Sequence, residues 1–215
     1  MLDAGRLLQL DGKLYTEDLE GGRSVHGEQV IAREGKAWRE WVPWRSKMAT
    51  FTKKRGLPRF DGRTLLYLGA AQGTTVSHLS DLMPDGTIHA VEVSSAAFAP
   101  LSALSKRRPN VVPILGDGFR PETYRIMVGS VDALYQDVAQ KDQLGMFLRN
   151  SGMFLRKGGR GMFMLKARSV DVTADPRSIA EATARGLRDG GMKVLDIVDL
   201  EPFQKDHYAL YVESV

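Results

Sequence analysis

Three carboxylates stand where an apolar segment gives way to a polar turn. Glu92 closes Ile88-His89-Ala90-Val91, Asp117 lies in Leu115-Gly116-Asp117-Gly118, and Asp137 follows Leu134-Tyr135-Gln136. Upstream, the apolar run Thr64-Leu65-Leu66-Tyr67-Leu68 ends in Gly69-Ala70-Ala71-Gln72-Gly73, with Thr74 and Thr75 next. Gly69 and Gly73 remove side chains where a backbone must turn sharply and admit a ligand. Thr74 and Thr75 can cap the helix that follows and offer hydroxyls. Glu92 falls roughly 20 residues past the glycine turn, where an acid accepts hydrogen bonds from ribose hydroxyls. Any one of the three acids alone reads more readily as a helix N-cap. All three at successive strand ends point to a nucleotide-like ligand.

Other nucleotide chemistries fit poorly. A phosphate-cradling loop needs Lys after its last glycine, and Gly73 is followed by Thr74 and Thr75. No Tyr has a Lys four residues on, as a short-chain nicotinamide reductase would show. S-adenosylmethionine carries an adenosine but no pyrophosphate, and it suits the looser Gly69-x-x-x-Gly73 turn better than a dinucleotide does. The chain has no Cys, and its four His are scattered without ligand spacing, so neither thiolate chemistry nor a metal centre is expected.

Such acids require a sheet whose strands all end on one side. Apolar segments at 64–68, 87–93, 111–115, 131–136, 160–166, 192–199 and 207–214 alternate with helical patterns at 74–82, 95–107, 121–127, 141–155 and 176–189. That alternation predicts an α/β fold: a mostly parallel seven-stranded sheet with helices on both faces. The last two strands are joined by Glu201-Pro202-Phe203-Gln204-Lys205-Asp206, too short for a crossover, so the final pair is expected to be antiparallel. Turns are placed at Pro84-Asp85-Gly86, Lys157-Gly158-Gly159 and Gly190-Gly191. Residues 2–42 read as short β segments with hairpin turns at Asp11-Gly12 and Glu34-Gly35, which predicts a small antiparallel β subdomain. Trp38, Trp41 and Trp44 are concentrated there and are read as core or subdomain-interface aromatics. A short basic helix is expected over Arg45–Lys54, started by Pro43 and ended by Gly56-Leu57-Pro58. The division is residues 1–44 and 45–215.

At 215 residues and 43% hydrophobic content, the chain can bury a sizeable core. It has neither a transmembrane run nor a signal-peptide layout, so no membrane association is expected and a cytoplasmic location is the default. Net charge is +4. Between 45 and 63, Arg45, Lys47, Lys53, Lys54, Arg55, Arg59 and Arg63 face Asp61 alone, the footprint of a polyanion partner or of a solvated basic face.

Four longer stretches carry a resemblance: Tyr67-Leu68-Gly69-Ala70-Ala71-Gln72-Gly73-Thr74-Thr75-Val76-Ser77-His78, Tyr135-Gln136-Asp137-Val138-Ala139-Gln140, Lys166-Ala167-Arg168-Ser169-Val170-Asp171-Val172-Thr173 and Glu201-Pro202-Phe203-Gln204-Lys205-Asp206-His207. With Trp41-Val42-Pro43-Trp44-Arg45-Ser46-Lys47-Met48-Ala49, they resemble fibrillarin in its short archaeal form, over nearly the whole chain. The resemblance implies a Rossmann-like class I methyltransferase domain behind a small β domain, and a guide-directed ribose 2′-O-methyltransferase acting on rRNA or tRNA. It implies S-adenosylmethionine as cofactor, held by Gly69, Gly73, Thr74, Thr75, Glu92, Val93, Asp117, Gly118, Asp137, Val138, Ala139 and Gln140. It implies a catalytic set of Lys47, Asp137 and Lys166. Its partners would be a box C/D guide RNA, a Nop-type scaffold protein and a kink-turn-binding protein related to a ribosomal protein. Three positions depart from the family pattern: Gln72 for Ser or Ala, Gly118 for Ala, and Gln204 for Glu. If that missing carboxylate had a part, Asp206 or His207 would have to cover it.

Within that set Lys166 is the candidate base, because it ends the apolar strand Met162-Phe163-Met164-Leu165, where partial desolvation favours a neutral amine. Lys47 comes from the basic helix, and Asp137 orients the ammonium groups. So little RNA-reading surface cannot specify one nucleotide, and target choice falls to a guide. Some family members also methylate protein side chains; the basic stretch argues against that here. A non-catalytic subunit is disfavoured because Lys47, Asp137 and Lys166 are all present.

Overall fold

In the computed structural model, which describes residues 1–215, two hairpins come first. Strands β1 (Leu7–Leu10) and β2 (Lys13–Glu17) close around Asp11-Gly12, and β3 (Val30–Arg33) and β4 (Lys36–Glu40) around Glu34-Gly35. They form a four-stranded antiparallel sheet in the order β1-β2-β4-β3. Asp11 and Gly12 both have positive φ, at 49° and 74°, as a tight hairpin turn requires.

The larger sheet holds β5 (Thr64–Leu68), β6 (Thr87–Glu92), β7 (Val111–Leu115), β8 (Val131–Gln136), β9 (Leu155–Lys166), β10 (Met192–Asp199) and β11 (His207–Ser214). Their order is β10-β11-β9-β8-β5-β6-β7. β5 through β9 pair in parallel, and β11 lies antiparallel between β9 and β10. The short 201–206 connection forces that reversal, as expected. β5 is flanked by β6 and β8, so the crossovers leave its carboxyl end in opposite directions and open a crevice there.

The helices are α1 (Lys47–Arg55), α2 (Thr74–Leu82), α3 (Ser95–Ser105), α4 (Arg125–Val128), α5 (Gln143–Phe154), α6 (Ala167–Val170) and α7 (Pro176–Asp189). Successive β5 side chains alternate between two cores. Leu65 and Tyr67 join the core under α1, α2 and α3, whereas Leu66 and Leu68 join the one under α5 and α7.

Three local expectations need correction. The Gly158-Gly159 stretch is no turn between helix and strand. It lies inside β9, where Gly158 has a φ of 70° and the pairing with β8 shifts register after Val131, so it is a bulge that lets the strand start earlier. The 121–127 segment is a 3₁₀ turn (Pro121–Tyr124) running into the single turn α4, not one helix. Pro43 starts a 3₁₀ turn (Pro43–Arg45), and α1 begins after it, capped by Ser46.

Asp132 ties the start of β8 to the start of β5. Burial alone would push its carboxyl up, but hydrogen bonds from Thr64 Oγ1, Arg156 and the backbone N–H groups of Arg63 and Thr64 outweigh that and hold it at about 2 against an ordinary 3.8. A carboxyl lowered by folding stabilises the fold above its unfolded value and loses that contribution as pH falls through the folded one. The melting temperature should therefore drop between about pH 4 and pH 2. Asp132→Asn should lower it at pH 7 and flatten its acid dependence in the same thermal scans.

Candidate active site

A cavity of about 380 Å³ opens at the carboxyl ends of β5, β6, β7 and β8. Gly69, Glu92, Val93, Asp117, Gly118, Asp137, Val138, Ala139 and Gln140 line it, together with Ala71, Phe119 and Met146. The volume is of the size that encloses a small cofactor. A larger one, about 600 Å³, lies off the other end of the sheet against Met1–Gly5, Arg59 and Arg63, away from all three strand-end acids.

None of the three acids is a helix cap. Ser94 caps α3 and Asp142 caps α5, and Arg120 stands at the N-cap of the turn after Asp117. Glu92 accepts the Ala71 N–H at 2.7 Å through Oε2 and the Ser94 N–H at 2.8 Å through Oε1. The carboxylate is thereby fixed at the cavity wall, with lone pairs left for hydroxyl donors. Asp117 accepts the Phe119 N–H at 2.9 Å through Oδ1, and its Oδ2 has no partner within the protein. At Gly69 (φ 79°) an added Cβ would lie 2.2 Å from the Asp137 carbonyl oxygen. The turn from β5 passes against the chain leaving β8, and only glycine allows that approach. At Gly118 an added Cβ would sit 2.8 Å from Met146 Sδ, so Met146 occupies the space a side chain here would need.

Gly73, Thr74 and Thr75 lie outside this lining. Gly73 itself, at φ 90°, is the N-cap of α2, with no side-chain cap, so neither Thr caps the helix. Thr75 Oγ1 instead shares a hydrogen bond with Ser46 Oγ at 3.0 Å, beneath α1. Thr74 packs beside Trp41, Arg45 and Ser46.

Ser46 is a joint that the sequence reading missed. Its Oγ accepts from Trp41 Nε1 at 3.1 Å and from the Ala49 N–H at 3.3 Å. This sets the first residue of α1, Lys47, over the carboxyl end of the sheet, where its Nζ donates to Asp137 Oδ1 at 2.7 Å. A lysine in a first helical turn opposes the helix dipole. Here the cation is held by Asp137 rather than by local preference, the kind of departure from local rules that marks a functional position.

Lys166 ends β9, half-buried. Gln143 clamps its backbone, with Nε2 donating to the Lys166 carbonyl at 3.0 Å and Oε1 accepting the Lys166 N–H at 3.0 Å. Gln136 Nε2 holds the Gln143 carbonyl at 2.7 Å in turn. The Lys166 ammonium makes no ion pair, unlike Lys47. His207 lies opposite Lys166 across the strand pair. Burial lowers its pKa most; the Lys205 carbonyl and Asp137 oppose this, while Lys47 and Lys166 push it further down. His207 is thus neutral at pH 7. Its Nδ1–H faces the Lys205 carbonyl at 2.6 Å, which leaves Nε2 as an acceptor.

The other residues of that loop are committed elsewhere. Gln204 Nε2 donates to the Pro43 carbonyl at 2.8 Å, and Asp206 accepts from Arg168 Nε at 3.2 Å. Trp38 and Trp41 are buried as expected, but Trp44 is 61% exposed, contrary to the expectation of a packed aromatic. The basic stretch 45–63 is also not one surface. Lys47 meets Asp137 at the carboxyl end of the sheet, Lys54 and Arg55 are tied to Asp199 and Asp196, and Arg63 stands just before β5 at the other end.

The family model described as "Fibrillarin" matches residues 6–214. The fibrillarin-like rRNA/tRNA 2′-O-methyltransferase of Aeropyrum pernix is 42% identical over 202 residues, 93% of this chain and 87% of that protein. The crystal structure of Aeropyrum pernix fibrillarin with natively bound S-adenosyl-L-methionine superposes with a TM-score of 0.86 at 40% identity, covering 96% of this chain and 92% of that one. A crystal structure of a fibrillarin/Nop5p complex superposes at 0.89 with 39% identity, covering 98% of both chains.

Proposed function

We propose, from the premise that the chain belongs to the fibrillarin family, that the cavity and the cations beside it are the active site of an S-adenosylmethionine-dependent RNA ribose 2′-O-methyltransferase. The chain is the catalytic subunit, and a Nop-type protein is its partner. A box C/D guide RNA selects the rRNA or tRNA target, and a kink-turn-binding protein organises that guide. The same reading divides the chain into a β subdomain, 1–44, and a methyltransferase domain, 45–215.

The observation that carries it is the position of Asp137. Asp137 lines the cavity, and its carboxylate holds the Lys47 ammonium at 2.7 Å. One residue thus joins the methyl-donor side to the cationic side where RNA arrives. The residues present fit S-adenosylmethionine: Glu92 would accept from ribose hydroxyls and Asp117 from the adenine amino group, while Gly69 keeps the turn free of a side chain. Val93, Gly118 and Val138 through Gln140 complete the walls; Thr74 and Thr75 support the turn from beneath.

Bound S-adenosylmethionine supplies an already activated sulfonium methyl for in-line displacement. The acceptor is the harder partner, since a ribose 2′-hydroxyl is a poor nucleophile until it is deprotonated. Lys166, unpaired and held at the end of β9 by Gln143, takes that proton on Nζ when it stands as the neutral amine, having first given its own proton to solvent. Lys47 faces the oxygen as its negative charge develops, and the fixed Lys47–Asp137 pair needs little reorganisation to do so. Alignment of the acceptor against the cavity mouth contributes much of the remaining rate.

The test is transfer of labelled methyl to an RNA target, with and without guide RNA and the two partner proteins. Label on RNA only in the complete mixture is the expected result. Label on a protein, or none with cofactor bound, would overturn the RNA assignment.

A further inference from the structure

Trp44 is the one tryptophan that the fold leaves outside. The residue is 61% exposed, while Trp38 and Trp41 are 7% and 1% exposed. It is not loosely hung. It belongs to the 3₁₀ turn Pro43–Arg45, whose Pro43 carbonyl is held by Gln204. Its ring meets Phe203 edge-on, with centroids 4.8 Å apart. Lys53 Nζ stands 6.0 Å over the Phe203 ring. A rigid, wet aromatic face set among cations matches single nucleotides, which combine an aromatic base with an anionic backbone.

Its place favours RNA over protein as the occupant. Trp44 precedes Ser46 and Lys47, and Phe203 precedes His207, so the pair bridges the two segments that bring Lys47 and His207 to the site. On the RNA-methyltransferase reading the acceptor ribose has to reach Lys47 and Lys166, and Trp44 stands at the turn that leads directly into Lys47.

We infer that Trp44, backed by Phe203, is a positioning platform on which a base of the target strand next to the methylated ribose stacks. The inference rests on the RNA-methyltransferase reading above and deepens it. The stack fixes the nucleotide whose sugar faces Lys166, whereas the cofactor cavity does not involve Trp44.

The test uses the complete particle of protein, guide RNA, target RNA and both partner proteins. Methyl transfer by the unaltered particle is measured first, so that failure of the RNA reading is seen separately. Trp44→Ala should then raise KM for target RNA about tenfold or more, the usual scale for losing one base stack. It should leave cofactor affinity and assembly with the Nop-type protein unchanged. Trp44→Phe should recover most of the loss, which a purely structural defect of the turn would not predict. A target carrying 5-bromouridine beside the methylated nucleotide should crosslink to Trp44 on irradiation. An unchanged KM in Trp44→Ala, a crosslink mapped elsewhere, or loss of the Nop-type partner from the Trp44→Phe particle would overturn the inference. If Trp44→Ala fails to fold, the Trp44→Phe kinetics and the crosslink decide alone.

Discussion

Replacing Lys166 with Ala is expected to slow methyl transfer by about 10²–10⁴-fold, the usual contribution of a positioned base, with cofactor affinity unchanged. The side chain makes no ion pair, and its backbone is held by Gln143 rather than by its own amine, so removing it should disturb little else. Lys166→Arg separates base from bystander. An arginine keeps the positive charge and its reach to phosphate but cannot give up its proton in a protein. If Lys166 removes the hydroxyl proton, the Arg variant should fail as badly as the Ala variant. If Lys166 only attracts RNA, Lys166→Arg should keep most activity and Lys166→Ala should raise KM. Single-turnover kinetics at saturating RNA, with cofactor binding measured by calorimetry, distinguish the two.

The second large effect lies far from the chemistry. Replacing Asp81 with Asn should destabilise the fold by about 3–5 kcal/mol, the cost of removing one partner from a buried ion pair. In a chain of this size that corresponds to about 6–20 °C in melting temperature. Asp81 is fully buried on α2. Its Oδ2 accepts from Thr16 Oγ1 at 2.7 Å and Arg39 Nη2 at 2.7 Å, and its Oδ1 accepts from the Leu19 N–H at 3.1 Å and Arg108 Nη1 at 2.6 Å. Arg39 comes from β4 of the small sheet, and Arg108 from the segment between α3 and β7. Both guanidiniums are wholly buried, and they pair further with Asp18, Glu20 and Glu28. Because Thr16 donates to the carboxylate, His78 must donate to Thr16 through Nδ1 at 2.8 Å. Burial first, then Arg39 and Arg108, lower its pKa well below the ordinary value, so His78 is a neutral strut stacked on Trp41. Asp81 thereby locks the N-terminal sheet onto α2, the helix that Gly73 precedes as N-cap. A melting temperature lowered by only a degree or two in Asp81→Asn would show that the network adds nothing net.

The large sheet was legible because its strands are buried apolar runs separated by helical patterns of the right length. The reversal of β11 followed from a connection too short to cross the sheet. The cavity acids were legible for a related reason. Glu92, Asp117 and Asp137 end successive strands, and parallel topology brings strand ends together. What failed to show is what depends on long-range partners. Nothing local announces that Arg39 and Arg108, 69 positions apart, share Asp81. Thr74 and Thr75 look like caps until the left-handed Gly73 takes that place and Ser46 claims the Thr75 hydroxyl. Gln143 carries no signal in the sequence for its clamp on the Lys166 backbone, a contact made across 23 positions. Trp44 resembles its neighbours Trp38 and Trp41 in sequence, and only the 3₁₀ turn points it outward. The pairing of Lys47 with Asp137 came from the family resemblance; spacing alone gives no reason for residues 90 positions apart to meet.

The most direct test of the account moves the guide and watches the methyl group. The complete particle is supplied with labelled S-adenosylmethionine, one target RNA and a series of guides displaced by one nucleotide, and the 2′-O-methyl is mapped to a single ribose. The methyl is expected to move by one nucleotide with each guide and to be absent without a guide. Methylation of the same nucleotide whatever the guide, or label on protein in place of RNA, would contradict it.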